Sequence, residues 1–212
     1  MEVAMFKKPF YLLFGMITLV LLVGCAAKQP PVTVETGSAV PGTEVTRNGQ
    51  KLALAGTGIA VGQPLPDTSL VDAKTMQPVN LRDYRGSVLL LSIVPSIDTK
   101  VCEAQTHYLG EKGDNLPAEV KRITISRDTP FAQSRFAEEA KLEDISYLSD
   151  YKEGGFGRSV GLLLEGPRLL TRSVIIVDKE GIVRYIQVVP EITHLPDMEE
   201  AFYRATELAA QP

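Results

Sequence analysis

Residues 87–102 read SVLLLSIVPSIDTKVC, and the first eight of them decide the fold. An unbroken apolar run bounded by Gly86 and Pro95 is the pattern of a strand buried on both faces. Pro95 fixes the backbone where strand becomes loop, and Thr99 is placed to cap a helix over roughly 99–113. Cys102 then falls in the first helical turn, where unpaired backbone N–H groups supply partial positive charge. A thiol is a nucleophile only when ionised, so a cysteine at this point can be made reactive. One turn of helix also sets the Thr99 hydroxyl close to the sulfur.

The flanking sequence supplies the rest of the sheet. VKRITISR (120–127) is a second strand and PFAQSRFAEEAKL (130–142) a second helix, with Pro130 at its start. A short strand follows near 145–150 and a turn of helix around GGFGRSVGLL (154–163). TRSVIIVD (171–178) and IVRYIQVV (182–189) are two strands joined by a tight turn, and the last helix places Met198, Ala201, Phe202, Ala205 and Leu208 on one face. Upstream, Asn48-Gly49 within EVTRNGQKLALAG (44–56) marks a tight hairpin turn, and 61–86 reads as loop and short strand. The order β-α-β-α-β, hairpin, α is that of an α/β thioredoxin-like fold: a mixed β-sheet flanked by helices, here with an N-terminal β-hairpin.

The 212-residue chain is 44% hydrophobic and 23% charged, enough to build one globular domain with appendages. A formal charge of −4 and the absence of a basic run argue against nucleic acid as partner. At the N-terminus Lys7 and Lys8 precede fourteen uncharged residues, 10–23, and then Leu22-Val23-Gly24-Cys25 is followed by Ala26 and Ala27. A basic start, a short apolar stretch and small residues at its end are the layout of a secretory signal. LVGC resembles the lipobox of bacterial lipoproteins, in which the cysteine is lipidated and becomes the first residue after cleavage. The expected organisation is a signal peptide over 1–24, a lipidated Cys25 with a flexible Pro/Gly/Thr-rich tether over 25–43, and a domain over 44–212. An uncleaved anchor is the alternative, since the apolar run extended to Ala27 is at the lower limit for spanning a bilayer. Either way the domain is exported and held at a membrane; Ala26 carries no aspartate-type retention signal, which favours the periplasmic side of an outer membrane. Lipidation of Cys25 leaves Cys102, the chain's other cysteine, without a disulfide partner.

The residues around Cys102 now carry a resemblance. Pro95, Thr99 and Cys102 fit the pattern P-x-x-x-T-x-x-C of peroxiredoxins, and PSIDT-x-VC together with TPFAQSRF (129–136), RSVIIVD (172–178) and PEIT (190–193) resembles the thiol peroxidase branch of that family. The resemblance spans about 45–208. It implies a peroxidase in which the Cys102 thiolate attacks hydrogen peroxide or a small alkyl hydroperoxide and becomes a sulfenic acid. By the same resemblance Thr99 holds the peroxide, Arg172 holds the thiolate and the charge developing on the departing oxygen, and Pro95 walls the pocket. It implies a homodimer with its interface near the active-site loops, and no metal, flavin or haem cofactor.

The pattern is departed from at one position. Related thiol peroxidases carry a resolving cysteine directly after SRF; here that residue is Ala137. Cys102 is therefore expected to work as a one-cysteine enzyme, reduced by an external thiol, either a thioredoxin-like protein or a low-molecular-weight thiol, and exposed to sulfinic overoxidation. The rival expectation is a lipoprotein that keeps the scaffold as a redox sensor or binding module. A disulfide oxidoreductase fails for want of a C-x-x-C pair. His107 is expected on a helix surface and His194 in a loop, too few for a metal site. Asp98 and Glu103 would oppose ionisation of the thiol if they pointed inward, and are expected to face solvent or an opposing subunit. GGFG (154–157) lacks the Lys-Ser/Thr of a phosphate loop. Ile93, Phe131 and Phe156 are expected in the core, with pocket wall or dimer interface as alternatives.

Overall fold

The computed structural model describes residues 32–211. The expected signal peptide, Cys25 and the first residues of the tether lie outside them. In chain order the described residues form β1 (Val34–Glu35), β2 (Glu44–Arg47), β3 (Gln50–Ala55), β4 (Ser69–Asp72), β5 (Pro78–Asn80), β6 (Val88–Ile93), α1 (Lys100–Glu111), β7 (Val120–Ser126), α2 (Pro130–Ala140), β8 (Ser146–Ser149), α3 (Gly155–Val160), β9 (Leu163–Leu164), β10 (Ser173–Val177), β11 (Val183–Val188), β12 (Leu195–Pro196) and α4 (Met198–Ala209).

Seven strands make one mixed sheet in the order β11-β10-β6-β7-β8-β4-β5. β6 lies parallel to β7 and antiparallel to β10, and every one of its residues is buried, in keeping with a run that is apolar but for Ser92. Side-chain alternation splits that run between two cores. Leu89, Leu91 and Ile93 join Ile123, Ile175 and Phe156 beneath α3 and the small β2-β3-β9 sheet. Val88 and Leu90 join Val174, Leu109, Ala201 and Phe202 beneath α1 and α4. Each such aliphatic side chain contributes about 1.5–3 kcal/mol by leaving water. The thioredoxin-like architecture is thus present, with helices on both faces of the sheet.

The Asn48-Gly49 turn closes β2 on β3 through a two-residue loop between the paired Arg47 and Gln50. Both turn residues have positive φ, 51° and 77°, which Asn and Gly adopt at least cost. The hairpin tip is tied to the loop after β11 by Glu191, whose carboxylate accepts from the Gly49 N–H at 3.1 Å and from the hydroxyls of Thr46 and Thr193 at 2.9 and 2.8 Å. Partial burial opposes the charge, but hydrogen bonds from Gly49, Thr193, Asn48 and Thr46 outweigh it and hold the carboxyl down at about 2. A carboxyl lowered by folding stabilises the fold above its unfolded value of 4.5 and stops doing so as pH falls through 2. Glu191→Gln is expected to cost on the order of 1 kcal/mol at neutral pH, discounted for solvent screening, and the difference from wild type should vanish between those two pH values. Urea denaturation across that range measures it.

Two expectations are corrected. Residues 32–43, read as part of a flexible tether, lie along the domain: β1 pairs in parallel with β12, the Ala39 N–H donates to the Val188 carbonyl at 2.8 Å, and the Gly42 N–H to that of Gly161 at 2.8 Å. Backbone hydrogen bonding to neighbouring strand ends satisfies a segment that has few apolar side chains to bury. Phe131 is 74% exposed at the head of α2, because the inward face of that helix is carried by Pro130, Gln133 and Ala137, whereas Ile93 and Phe156 are buried.

Candidate active site

β6 ends at Ile93 and the chain runs through Val94 and the buried Pro95 into α1, which places Cys102 as the third helical residue. Thr99 has the extended backbone of a helix cap, and its carbonyl accepts from the Glu103 N–H at 2.8 Å. Its side chain does something other than expected. The hydroxyl makes no capping bond and none to the sulfur; it donates to the Ser96 carbonyl at 3.3 Å and stands exposed at the mouth of the site. The loop is pinned instead by Asp128, on the turn between β7 and α2, whose carboxylate accepts from the Ile97 N–H and the Ser96 hydroxyl, each at 2.8 Å.

Cys102 is fully buried against Val94 and Ile97, with Ala132 and Phe136 of α2 alongside. Arg172, just before β10, reaches it from the strand paired beside β6: Nη2 donates to Sγ at 3.3 Å. The same guanidinium donates through Nη1 to Gln105 Oε1 at 2.8 Å and through Nε to the Ile192 carbonyl at 2.9 Å. Gln105 in turn donates to the Ser92 hydroxyl of β6 at 2.8 Å. Arg172 is 2% exposed, and burial draws its guanidinium below the ordinary arginine value, opposed by the charge and hydrogen bond of Cys102. A buried cation fixed by two neutral acceptors, with its third arm on a sulfur, forms a charge-assisted bond when that sulfur is a thiolate.

A cavity of about 230 Å³ opens beside this pair, lined by Pro95, Thr99, Arg172 and Ile192 with Arg47 and Lys100. Of the expected site residues, Pro95, Thr99 and Arg172 line this cavity; Cys102, fully buried, is not among its lining residues and is joined to it by the Arg172 contact. Ala137 is buried on α2 and lines a different, larger cavity of about 420 Å³ with Asp72, Glu138 and Asp144. Asp98 and Glu103 are exposed; Asp98 lies 3.7 Å from Arg135 and Glu103 3.9 Å from His107. His107 sits on the outer part of α1, 3.0 Å from Glu111, and His194 lies in the loop before β12. Ser92, Gln105 and Asp128 were not anticipated. The one signal for Ser92 is its polarity inside an otherwise apolar strand.

The model of the Redoxin family matches residues 60–202. A thiol peroxidase of Halalkalibacterium halodurans is 40% identical over 161 residues, which are 76% of this chain and 96% of that protein. A thiol peroxidase of Bacillus subtilis is 36% identical over 165 residues, 78% of this chain and 98% of that protein. Among solved structures, a peroxiredoxin-like protein from Aquifex aeolicus superposes with a TM-score of 0.74 at 31% identity, covering 80% of this chain and 99% of its own.

Proposed function

The chain belongs to the peroxiredoxin family, in its thiol peroxidase branch, and from that membership we propose that this thiol-dependent peroxidase works through Cys102 alone. The observation that carries the proposal is the 3.3 Å contact between the buried Arg172 and Sγ in a domain whose sequence holds no second cysteine. The Cys102 thiolate attacks the terminal oxygen of hydrogen peroxide or a small organic hydroperoxide. The O–O bond breaks, Cys102 is left as a sulfenic acid, and water or an alcohol departs after taking up a proton. Arg172, already donating to the sulfur, stabilises the negative charge that moves onto the departing oxygen. Thr99, at the mouth, offers its hydroxyl to the incoming peroxide once it leaves Ser96.

Recovery needs two equivalents of an external thiol. The first condenses with the sulfenic acid to give a mixed disulfide and water; the second displaces Cys102 and leaves the oxidised reductant. The cavity favours one kind of thiol. Its walls are largely apolar, and Arg47 and Lys100 at its rim form no ion pair within 4 Å among the described residues. In a chain with net negative charge, two such cations favour a thiol bearing a carboxylate.

Steady-state hydrogen peroxide consumption with 3-mercaptopropionate, 2-mercaptoethanol and cysteamine tests both parts. Turnover should be fastest with the anionic thiol, by about tenfold at low salt after correction for thiol pKa, and the advantage should shrink with salt and in Arg47→Gln. Equal rates would remove the charge preference, and no turnover with any thiol would leave the sensing role as the better reading. From residues 1–27 we further propose a lipoprotein held at a membrane through Cys25; labelling by a palmitate analogue that is lost in Cys25→Ser tests that.

A further inference from the structure

Arg172 is held by parts of the chain that are remote from it in sequence. Its guanidinium rests on the Ile192 carbonyl, and its backbone carbonyl accepts from the Val189 N–H at 2.9 Å. Both supports belong to the segment 187–196. On one side that segment is gripped by the N-terminal hairpin: the Thr46 N–H donates to the Pro190 carbonyl at 2.7 Å, and the Ile192 N–H to the Thr46 carbonyl at 2.9 Å.

On the other side it is gripped by residues 33–39. The Leu195 N–H donates to the Thr33 carbonyl at 2.8 Å, and the Val188 N–H to the Ser38 hydroxyl at 3.0 Å. The buried Gln187 donates to the carbonyls of Glu35 and Gly37 at 2.6 and 3.1 Å, while its own Oε1 accepts from the Asp197 N–H at 2.8 Å. Glu35 Oε2 lies 3.3 Å from His194 Nδ1, and this pair draws the Glu35 carboxyl below its ordinary value. Val34 reaches further. With Leu195 and Tyr108 it lines a cavity of about 320 Å³ whose wall includes Gln105, the other support of the Arg172 guanidinium.

We propose that residues 33–39 are a strap that positions Arg172 against the Cys102 sulfur, so that the reactivity of Cys102 depends on the stretch of chain leading into the domain. Glu35, Ser38 and Gln187 are its positioning residues. The strap carries little apolar area of its own: Val34 is 54% exposed and β1 has two residues, so its hold is a set of hydrogen bonds that can open locally. Opening it frees one side of segment 187–196 and lets the Ile192 carbonyl shift. A guanidinium fixed by three contacts then loses its orientation rather than its charge. For peroxide reduction the inference rests on the reaction proposed at Cys102; for the reactivity of the thiol it does not.

The test uses the full chain in detergent, with Glu35→Ala combined with Ser38→Ala as the strap variant. Two rates are measured, oxidation of Cys102 by hydrogen peroxide and its alkylation by iodoacetamide, with amide exchange at Val188 and Leu195 to verify that the strap has opened. Both rates should fall about fivefold, with the melting transition still cooperative. In an Arg172→Lys background, where the forked contacts are gone, the same pair of substitutions should cause no further fall. Gln187→Ala serves as a second, stronger strap variant. Unchanged rates with both amides exchanging freely, or equal falls with and without Arg172, would overturn the inference. Strap-dependent alkylation without any rapid oxidation in wild type would instead retain the strap and remove the peroxidase reading of this site.

Discussion

Cys102→Ser is expected to abolish thiol-dependent peroxide consumption, a loss on the order of 10³-fold or more, to the level of buffer and reductant alone. A serine hydroxyl in that position is not ionised near neutral pH and cannot store the transferred oxygen as a sulfenic acid. The loss should come without unfolding. The side chain is fully buried among Val94, Ile97, Ala132 and Phe136, and replacing sulfur by oxygen removes little volume. Arg172 Nη2 still finds an acceptor in the serine oxygen, so no buried donor is left unpaired. The check is peroxide consumption with a thiol in excess, beside a thermal melt of the same sample. Residual turnover within tenfold of wild type would mean that the chemistry lies elsewhere in the chain.

The second large effect is at Arg172. Arg172→Ala takes a cation from the sulfur at 3.3 Å and leaves two further buried acceptors, Gln105 Oε1 and the Ile192 carbonyl, without their donor. Oxidation of Cys102 should slow by about 10²–10³-fold, the usual effect of removing a preorganised donor from developing negative charge. The fold should lose about 1–3 kcal/mol for each neutral acceptor left buried without a partner. Arg172→Lys separates the two consequences. It keeps the positive charge, but one ammonium on a flexible stem cannot serve three acceptors in three directions. Most of the stability should return while single-turnover oxidation stays at least about tenfold slow. Full recovery of rate in Arg172→Lys would show that charge alone suffices and that the fork on Gln105 and Ile192 is incidental.

The central part of the fold was open to reading because its signals are local. The run 87–94, bounded by Gly86 and Pro95, has the pattern of a doubly covered strand, Asn48-Gly49 is a strong signal for a tight turn, and Pro130 suits the first turn of a helix. The family motif then supplied Arg172, which lies 70 residues from Cys102 and has no local signature of function. What stayed hidden depends on contacts that leave no pattern. Gln105 looks like any polar residue on a helix until the sheet brings Ser92 and Arg172 to either end of its amide. Asp128 pins the loop before α1 from 31 residues away. Residues 32–43 have the composition of a linker because the bonds that dock them are mostly made by backbone groups, which every sequence carries alike. Thr99 departs from its local signal in a different way. A threonine before a helix is usually a side-chain cap, and here Ser96 takes its hydroxyl first.

The most direct test of a one-cysteine peroxidase is the mass of the Cys102 peptide after one equivalent of hydrogen peroxide. Dimedone is present as a sulfenic-acid trap in one sample and an excess of external thiol in a second. The account predicts a single dimedone adduct on Cys102, formed far faster than on a free cysteine, and return of the unmodified thiol in the second sample. An unreacted Cys102, or oxidation no faster than that of free cysteine, would contradict it.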